Sequence, residues 1–411
     1  MSTTVKVNPG DTFINLARQN YGTDQYAKNI AEANPGIIEP LPVGQLLTIP
    51  DIPDAPSNKN TIIGGLKENE LALRFNGFLF KNYTDITITR SIDQMDTVEL
   101  NSPWDSNDDV LRVNFRPFDY KEVTVEVGGE ILFTGTQIAI TPDLSPKNKT
   151  VALGCYSYPG VLNDCTPSAS SFPLEYLNSS LKDIAENICR PFGIAVQFDD
   201  DPGNPFDKVA CRSSQRALEF LIGLAKQRNL ILSSTQDGKL LFQKSIDDGV
   251  AVAELVQGRS PLQSAKPSFS PQSFYSNITG VEPVKVGSEG SQYTLQNYRL
   301  AGTTRPFTYA ARDTDVATLK NAVDSKYGRM HGSAVAYSVS LSTWRDPSGK
   351  LFEPNTMITM KAPDAMVYNS YKFLIRKVQF KRSANEESCN LDLVIPGSFS
   401  GKVPEVLPWD E

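Results

Sequence analysis

Residues 341–356 read LSTWRDPSGKLFEPNT. Asp346-Pro347 opens a tight turn, because proline presets φ at the second turn position and aspartate is favoured at the first. Gly349 supplies a positive φ that a residue with a Cβ adopts only under strain. Trp344 is the large side chain that fills the core under the turn. Alternating apolar residues predict strands on either side, at 333–342 before the turn and at 356–361, 371–381 and 389–395 after it. One helix, about Asp315 to Arg329, carries Val316, Leu319, Val323 and Tyr327 at helical spacing. Ser276-Asn277-Ile278-Thr279-Gly280-Val281 begins the pattern, so residues 261–400 read as a β domain followed by a tail, 401–411.

Upstream the pattern is mixed. Leu177, Leu181, Ile184 and Ile188 fall on one helical stripe with Ser179 or Ser180 as cap, and Arg216–Ala225 is a second helix. Ile194–Phe198 reads as a strand, and Leu230–Ser234 with Lys239–Gln243 reads as a hairpin across Gln236-Asp237-Gly238. Residues 166–260 are therefore an α/β insertion. Residues 61–165 are β again: Leu71–Phe75, Asp85–Arg90, Asp109–Val113, Val123–Val127 and Ile131–Gly135 alternate, with a Gly128-Gly129 hairpin turn. Residues 52–60 are a Pro-rich, polar linker.

The first 51 residues read β-α-α-β. Thr4–Val7 and Gln45–Pro50 are the strands, Phe13, Leu16 and Ala17 mark one helix, and Tyr26, Ile30 and Ala33 mark the other. The blocks VNPGDTFINLARQNYG, IAEANPG and LPVGQLLTIP resemble the three signature blocks of the LysM family. The resemblance implies a groove for N-acetylglucosamine chains formed by two loops, Gly10, Asp11, Thr12 and Phe13, and Asn34, Pro35, Gly36, Ile37 and Ile38. The same loops serve equally as a protein-docking clip. A single copy without avidity favours the clip.

The turn at 341–356 resembles the W-x-D-x-x-G-x-L-W-x-P block of the Mu-like baseplate hub family, on Trp344, Asp346, Gly349, Phe352 and Pro354. Phe352 stands where tryptophan is commoner. Ile375–Phe380, Leu391–Pro396 and the early Phe133-Thr134-Gly135 extend the match. The implied architecture is multidomain and β-rich α+β: a small LysM module, then two tail-tube-like antiparallel β domains with the α/β insertion. The implied function is a homotrimeric, pseudo-sixfold ring in a virion baseplate. It joins the tail tube protein to the central spike protein, while the LysM module docks a wedge protein. DNA would pass through the lumen without specific binding.

Composition agrees with a structural part. The 411 residues carry a formal net charge of -7, which argues against gripping nucleic acid by its phosphates and implies a lumen wall that does not hold DNA. No apolar run of about eighteen residues is present and the N-terminus lacks a signal pattern, so neither membrane anchor nor secretion is expected. Assembly in a host cytoplasm is the expectation. Five scattered cysteines and one histidine, His331, lack metal-ligand spacing, so no metal and no cofactor is expected. His331 lies between Gly328 and Gly332 and reads as a loop residue. The rival readings are a LysM-anchored cell-wall hydrolase and a wall-attached binding protein. For a hydrolase, Glu68 with Glu70, or Asp199-Asp200-Asp201, would have to serve as the acid/base pair. The latter reads as a solvated turn, no other catalytic motif is present, and the expectation is that the chain is not an enzyme.

Overall fold

The computed structural model describes residues 3–7, 12–14, 16–17, 26–38, 41–42, 44–50, 69–145, 149–282, 290–311, 316–384, 386–400, 402 and 406–410. Two compact units result, 1–68 and 69–411. Gly10, Asp11, Tyr21, Gly22, Val43, Glu68 and the linker 52–60 lie outside the described residues. Among the described residues no helix is long and apolar enough to cross a membrane.

In the first unit, β1 (Thr3–Lys6) pairs antiparallel with β2 (Leu46–Ile49). The helix α1 (Ala27–Ala33) packs Ile30 into a core of Val7, Phe13, Leu16, Ala17, Leu41, Leu47 and Ile49. Phe13, Leu16 and Ala17 are helical, and the Leu16 N–H bonds the Thr12 carbonyl at 2.9 Å.

The larger unit is organised by one thirteen-stranded sheet. Its first half comprises β3 (Leu71–Phe75), β4 (Phe78–Phe80), β5 (Asp85–Ser91), β6 (Thr97–Pro103), β7 (Glu122–Val127), β8 (Glu130–Leu144) and β9 (Lys149–Ser157). Gly128 and Gly129 turn β7 into β8 at φ of 62° and 87°, the left-handed pair that a two-residue hairpin demands. Asp109–Val113, expected as a strand, is instead the helix α2 (Asp109–Asn114). The Asp108 carboxylate caps it, accepting from the Val110 and Leu111 amides, and only Leu111 of the apolar residues is buried. A side-chain cap on two helix amides outweighs an alternation with no face to bury.

The α/β insertion has its own core. There β10 (Glu175–Ser179) pairs with β12 (Phe206–Ala210), while β11 (Val196–Phe198) and β13 (Ile231–Ser234) flank β14 (Leu240–Gln243). The helices are α3 (Leu181–Cys189) and α4 (Ala217–Gln227). Leu177 belongs to β10 and is exposed, not to α3, because Ser180 caps the helix by accepting from the Asp183 amide at 3.1 Å. The last stretch before residue 260, β15 (Ala251–Val256), leaves the insertion and pairs in parallel with the great sheet.

The second half of that sheet is β15, β16 (Leu262–Phe269), β20 (Val335–Leu341), β21 (Met357–Ala362), β22 (Val367–Ser383) and β23 (Glu387–Val394). Between β16 and β20 the chain makes a satellite layer. Here β17 (Asn277–Val281) lies between β18 (Gln292–Gln296) and β19 (Pro306–Ala310), covered by α5 (Val316–Ala334). Gly280 permits that cover, since a Cβ there would stand 2.5 Å from Val323. His331 is not in a loop: it is a buried residue of α5, its Nδ1 3.1 Å from the Tyr327 carbonyl and its ring edge-on to Phe274. Glycine on both sides suggested a break, but Gly332 is needed for close packing on Ser398, 2.8 Å from where its Cβ would lie.

The two halves repeat one another. The strand order is β5-β6-β9-β8-β7 in the first and β16-β20-β23-β22-β21 in the second. Each half has one long strand with a bulge at the same point, one extra residue at Ile138 in β8 and at Arg376 in β22. The halves join where the distal part of β22 pairs antiparallel with β5, from Lys377 opposite Ser91 to Ser383 opposite Asp85. A single core runs under both, including Val98, Phe133, Tyr337 and Phe380.

Candidate functional site

The Trp344 block is a clamp on the sheet. Trp344 is fully buried against Phe380, and its indole N–H donates to the Ser388 carbonyl at 2.9 Å. Asp346 Oδ1 accepts from the Ser348 amide and hydroxyl and from the Lys350 amide, and Gly349 turns at φ +84°. Arg345 Nε donates to Asn69 Oδ1 at 2.9 Å, fastening the start of the unit. Phe352 is buried and its amide bonds the Trp344 carbonyl, while Pro354 is half-buried beside Asn355. Sequence reasoning passed over Asn355, at φ 62°: its amide group donates to Gln243 and the Lys244 carbonyl and accepts from Ile246, tying the insertion to the sheet. Only its place just after a proline in a turn hinted at this. These residues hold shape and offer no reacting group.

In the first unit Asn34 is likewise a pin. Its side chain donates to the Ile30 and Thr48 carbonyls and accepts from the Thr48 amide, each at 2.7 Å. Thr12 is half-buried and Phe13 buried, Pro35 and Gly36 are exposed, Ile37 is half-buried, and Ile38 is 80% exposed. The loop from Pro35 to Ile38 is therefore the exposed apolar part of that region.

Chemistry of other kinds finds little support. Among the described residues no group of three or more His, Cys, Asp or Glu side chains could hold a metal ion. Burial pushes the Cys155 and Cys189 thiols up to about 12, which removes their nucleophilicity at neutral pH. Asp199 and Asp201 accept from neighbours in their own stretch, Gln197 and the Gly203 amide, and Asp200 accepts from the Lys244 amide after β14.

The unsatisfied features are edges. Among the described residues, β16 bonds no strand on the side of the sheet away from its partner, and neither does β8 beyond its pairing with β7. Both runs are unusually exposed for sheet strands, with Ile138 at 41%, Leu144 at 74% and Phe269 at 40%. An open edge of this kind is a template for pairing with another chain.

Comparison with known proteins follows the same lines. Residues 159–244 match the family model "Baseplate hub protein gp44-like, second domain", and residues 3–57 match "Phage Tail Protein X". The chain is 22% identical over 331 residues to the baseplate hub protein gp44 of Escherichia phage Mu, covering 75% of this chain and 83% of that one. Its fold is shared with the 43 kDa tail protein of prophage MuSo2 from Shewanella oneidensis (TM-score 0.69, 22% identity, 80% of this chain and 99% of that one). It is also shared with a tail protein from Neisseria meningitidis MC58 (TM-score 0.68, 14% identity, 81% and 98%). These relatives are a baseplate hub protein and tail proteins. The chain is thus similar, in sequence and in the fold of its larger unit, to the structural baseplate hub and tail proteins of Mu-like phages.

Proposed function

We propose that the protein is a structural baseplate hub subunit of a contractile phage-type tail, a virion component. Three copies close a pseudo-sixfold ring between the tail tube and the central spike. The observation that carries this reading is the repeat. Within the chain, β22 of one half holds β5 of the other. The equivalents of these strands, β8 and β16, are both left open, among the described residues, on the side where this join would form, as are the edge strands β4 and β15 elsewhere in the sheet.

Superposing the halves on their bulges supports one register for the proposed join. Cys155 lies opposite Gln137 before the first bulge, as Leu393 lies opposite Ile375 before the second. Following the partners outward, Val98 corresponds to Tyr337 and Ile88 to Pro267. The β22–β5 pairing then transfers to β8 and β16 of a neighbouring copy: Ile140 opposite Phe269, Thr141 opposite Ser268, Pro142 opposite Pro267, Asp143 opposite Lys266, and Leu144 opposite Ala265. Opposite charges and two hydroxyl side chains meet, which favours the pairing. The Ile92 amide bonds the Arg376 carbonyl, so by parity the nitrogens of Pro142 and Pro267 face the join: the missing N–H groups cost the chain's own sheet nothing, while the join forgoes both bonds of that one pair. Hydrogen bonds form on either side of that proline pair.

Each chain supplies two halves and each ring three chains, so threefold and sixfold neighbours both find matching surfaces. The chain's -7 triples in the ring, which suits a lumen that lets DNA pass. The N-terminal unit is read as a LysM-type clip on a wedge protein, with Thr12, Phe13 and Pro35 to Ile38 at the contact and the exposed Ile38 as its anchor.

The test is a cross-link. Thr141→Cys with Ser268→Cys creates partners at a non-hydrogen-bonded position, where facing Cα atoms stand about 4.5 Å apart, within disulfide reach. Mild oxidation should give a closed species of three times the 45.2 kDa chain and nothing larger. An absent cross-link, or an open-ended ladder, refutes the ring.

A further inference from the structure

A cavity of about 900 Å³ lies where the insertion, the satellite layer and the great sheet meet. Its walls come from α4, α5, β19 and the Ser398–Phe399 turn. In a chain of net charge -7 the cationic side chains here outnumber the carboxylates: Arg212, Lys226, Lys326, Arg329 and Arg376 line it with one carboxylate, Asp93. Asp93 is already committed to Arg376, at 2.9 Å. Among the described residues Lys226, Lys326 and Arg329 have no carboxylate partner. Lys326 and Arg329 lie instead over the rings of Phe307 and Phe399, at 5.1 and 5.7 Å.

Crowding of like charge is felt by the groups themselves. Partial withdrawal from water, with Arg329 and Lys326 nearby, brings Lys226 down to about 8. Burial likewise lowers Arg329. Three buried polar atoms on the same walls find no partner among the described residues: Arg329 Nε, Ser325 Oγ and Tyr309 Oη. Lys226 and Lys326 are exposed and Arg329 is half-buried, but buried polar atoms left unmatched, as Arg329 Nε is, are costly, and native proteins rarely keep them without use. The same walls carry apolar surface from Phe220, Leu224, Ile278 and Phe307. The volume stands near the upper end of ordinary ligand sites, far beyond what one small anion fills.

We propose that this cavity is a docking site for an acidic segment of a partner polypeptide. Its carboxylates meet Lys226, Lys326 and Arg329, and its apolar side chains lie on the aromatic wall. A small oxyanion would use the cations and leave that wall idle. No residue of a neighbouring copy is needed to form these walls, so the inference does not rest on the ring.

The experiment is calorimetric titration of the full chain with the acetylated, amidated pentapeptide Glu-Leu-Asp-Phe-Glu, alongside sodium tripolyphosphate. The peptide should bind, and the Lys326→Gln/Arg329→Gln variant should bind it at least tenfold more weakly. Lys226→Gln, at a side chain outside any core, provides a second reading with the fold undisturbed and should weaken binding several-fold. The proposal is overturned by absence of peptide binding, by equal binding to the variants, or by tripolyphosphate binding as tightly as the peptide. The last outcome would mean a plain oxyanion site.

Discussion

Reversing one charge at the open edges tests the ring at its register. Asp143 and Lys266 are exposed within a single chain, so Asp143→Lys or Lys266→Asp should leave each chain folded. In the ring each interface would lose an attractive cross-strand pair and gain a repulsive one, about 1 kcal/mol or slightly more. Three identical interfaces close the ring, so the trimer loses about 3–4 kcal/mol, roughly a factor of 10²–10³ in its formation constant. Half-assembly of a trimer depends on the square root of that constant, so the midpoint concentration should rise about tenfold to thirtyfold. Sedimentation or light scattering across a dilution series reads this directly. The effect should shrink at about 1 M salt, where the Debye length falls to ~3 Å. The decisive result is the double variant Asp143→Lys/Lys266→Asp, which restores opposite charges and should assemble like the parent. If both single variants assemble normally, or if the double variant is worse than either, the register derived from the repeat is wrong.

Two further outcomes concern the scaffold. Trp344→Ala removes a fully buried indole and its bond to Ser388, and should cost about 4 kcal/mol, while Trp344→Phe should cost nearer 1–2; urea unfolding followed by circular dichroism distinguishes them, and equal stability would remove Trp344 from the core. Burial holds His331 down at about 4, below the ordinary 6.5, so its stabilising neutral state is fully present above pH 6.5 and is lost as pH falls toward 4. Over that window the parent should lose about 3 kcal/mol more than His331→Phe, and parallel pH profiles would contradict the assignment.

Part of this molecule is written locally. The Gly128-Gly129 turn, the Asp346 to Gly349 turn, the Ser180 cap and the stripe of Leu181, Ile184 and Ile188 in α3 each depend on residues a few positions apart and are found where those residues indicate, Leu177 falling outside the stripe. Errors arose where local signals competed. Apolar alternation in Asp109–Val113 lost to the cap at Asp108, and Gly332 beside His331 proved to be a packing contact within a helix. Neither outcome could be weighed without knowing what lay opposite.

What no local pattern contains is the pairing of distant strands. Sequence shows that β5 and β22 are strands; only the folded chain decides that residues nearly three hundred positions apart lie side by side, as Lys377 and Ser91 do. The same holds for the matching bulges at Ile138 and Arg376, for the open edges of β8 and β16, and for the gathering of Lys226, Lys326 and Arg329 around one cavity. Secondary structure follows from short-range sterics and hydrogen bonds that a window of residues fixes. Edges, registers and charge clusters depend on which apolar faces bury one another, a choice made by the whole chain at once.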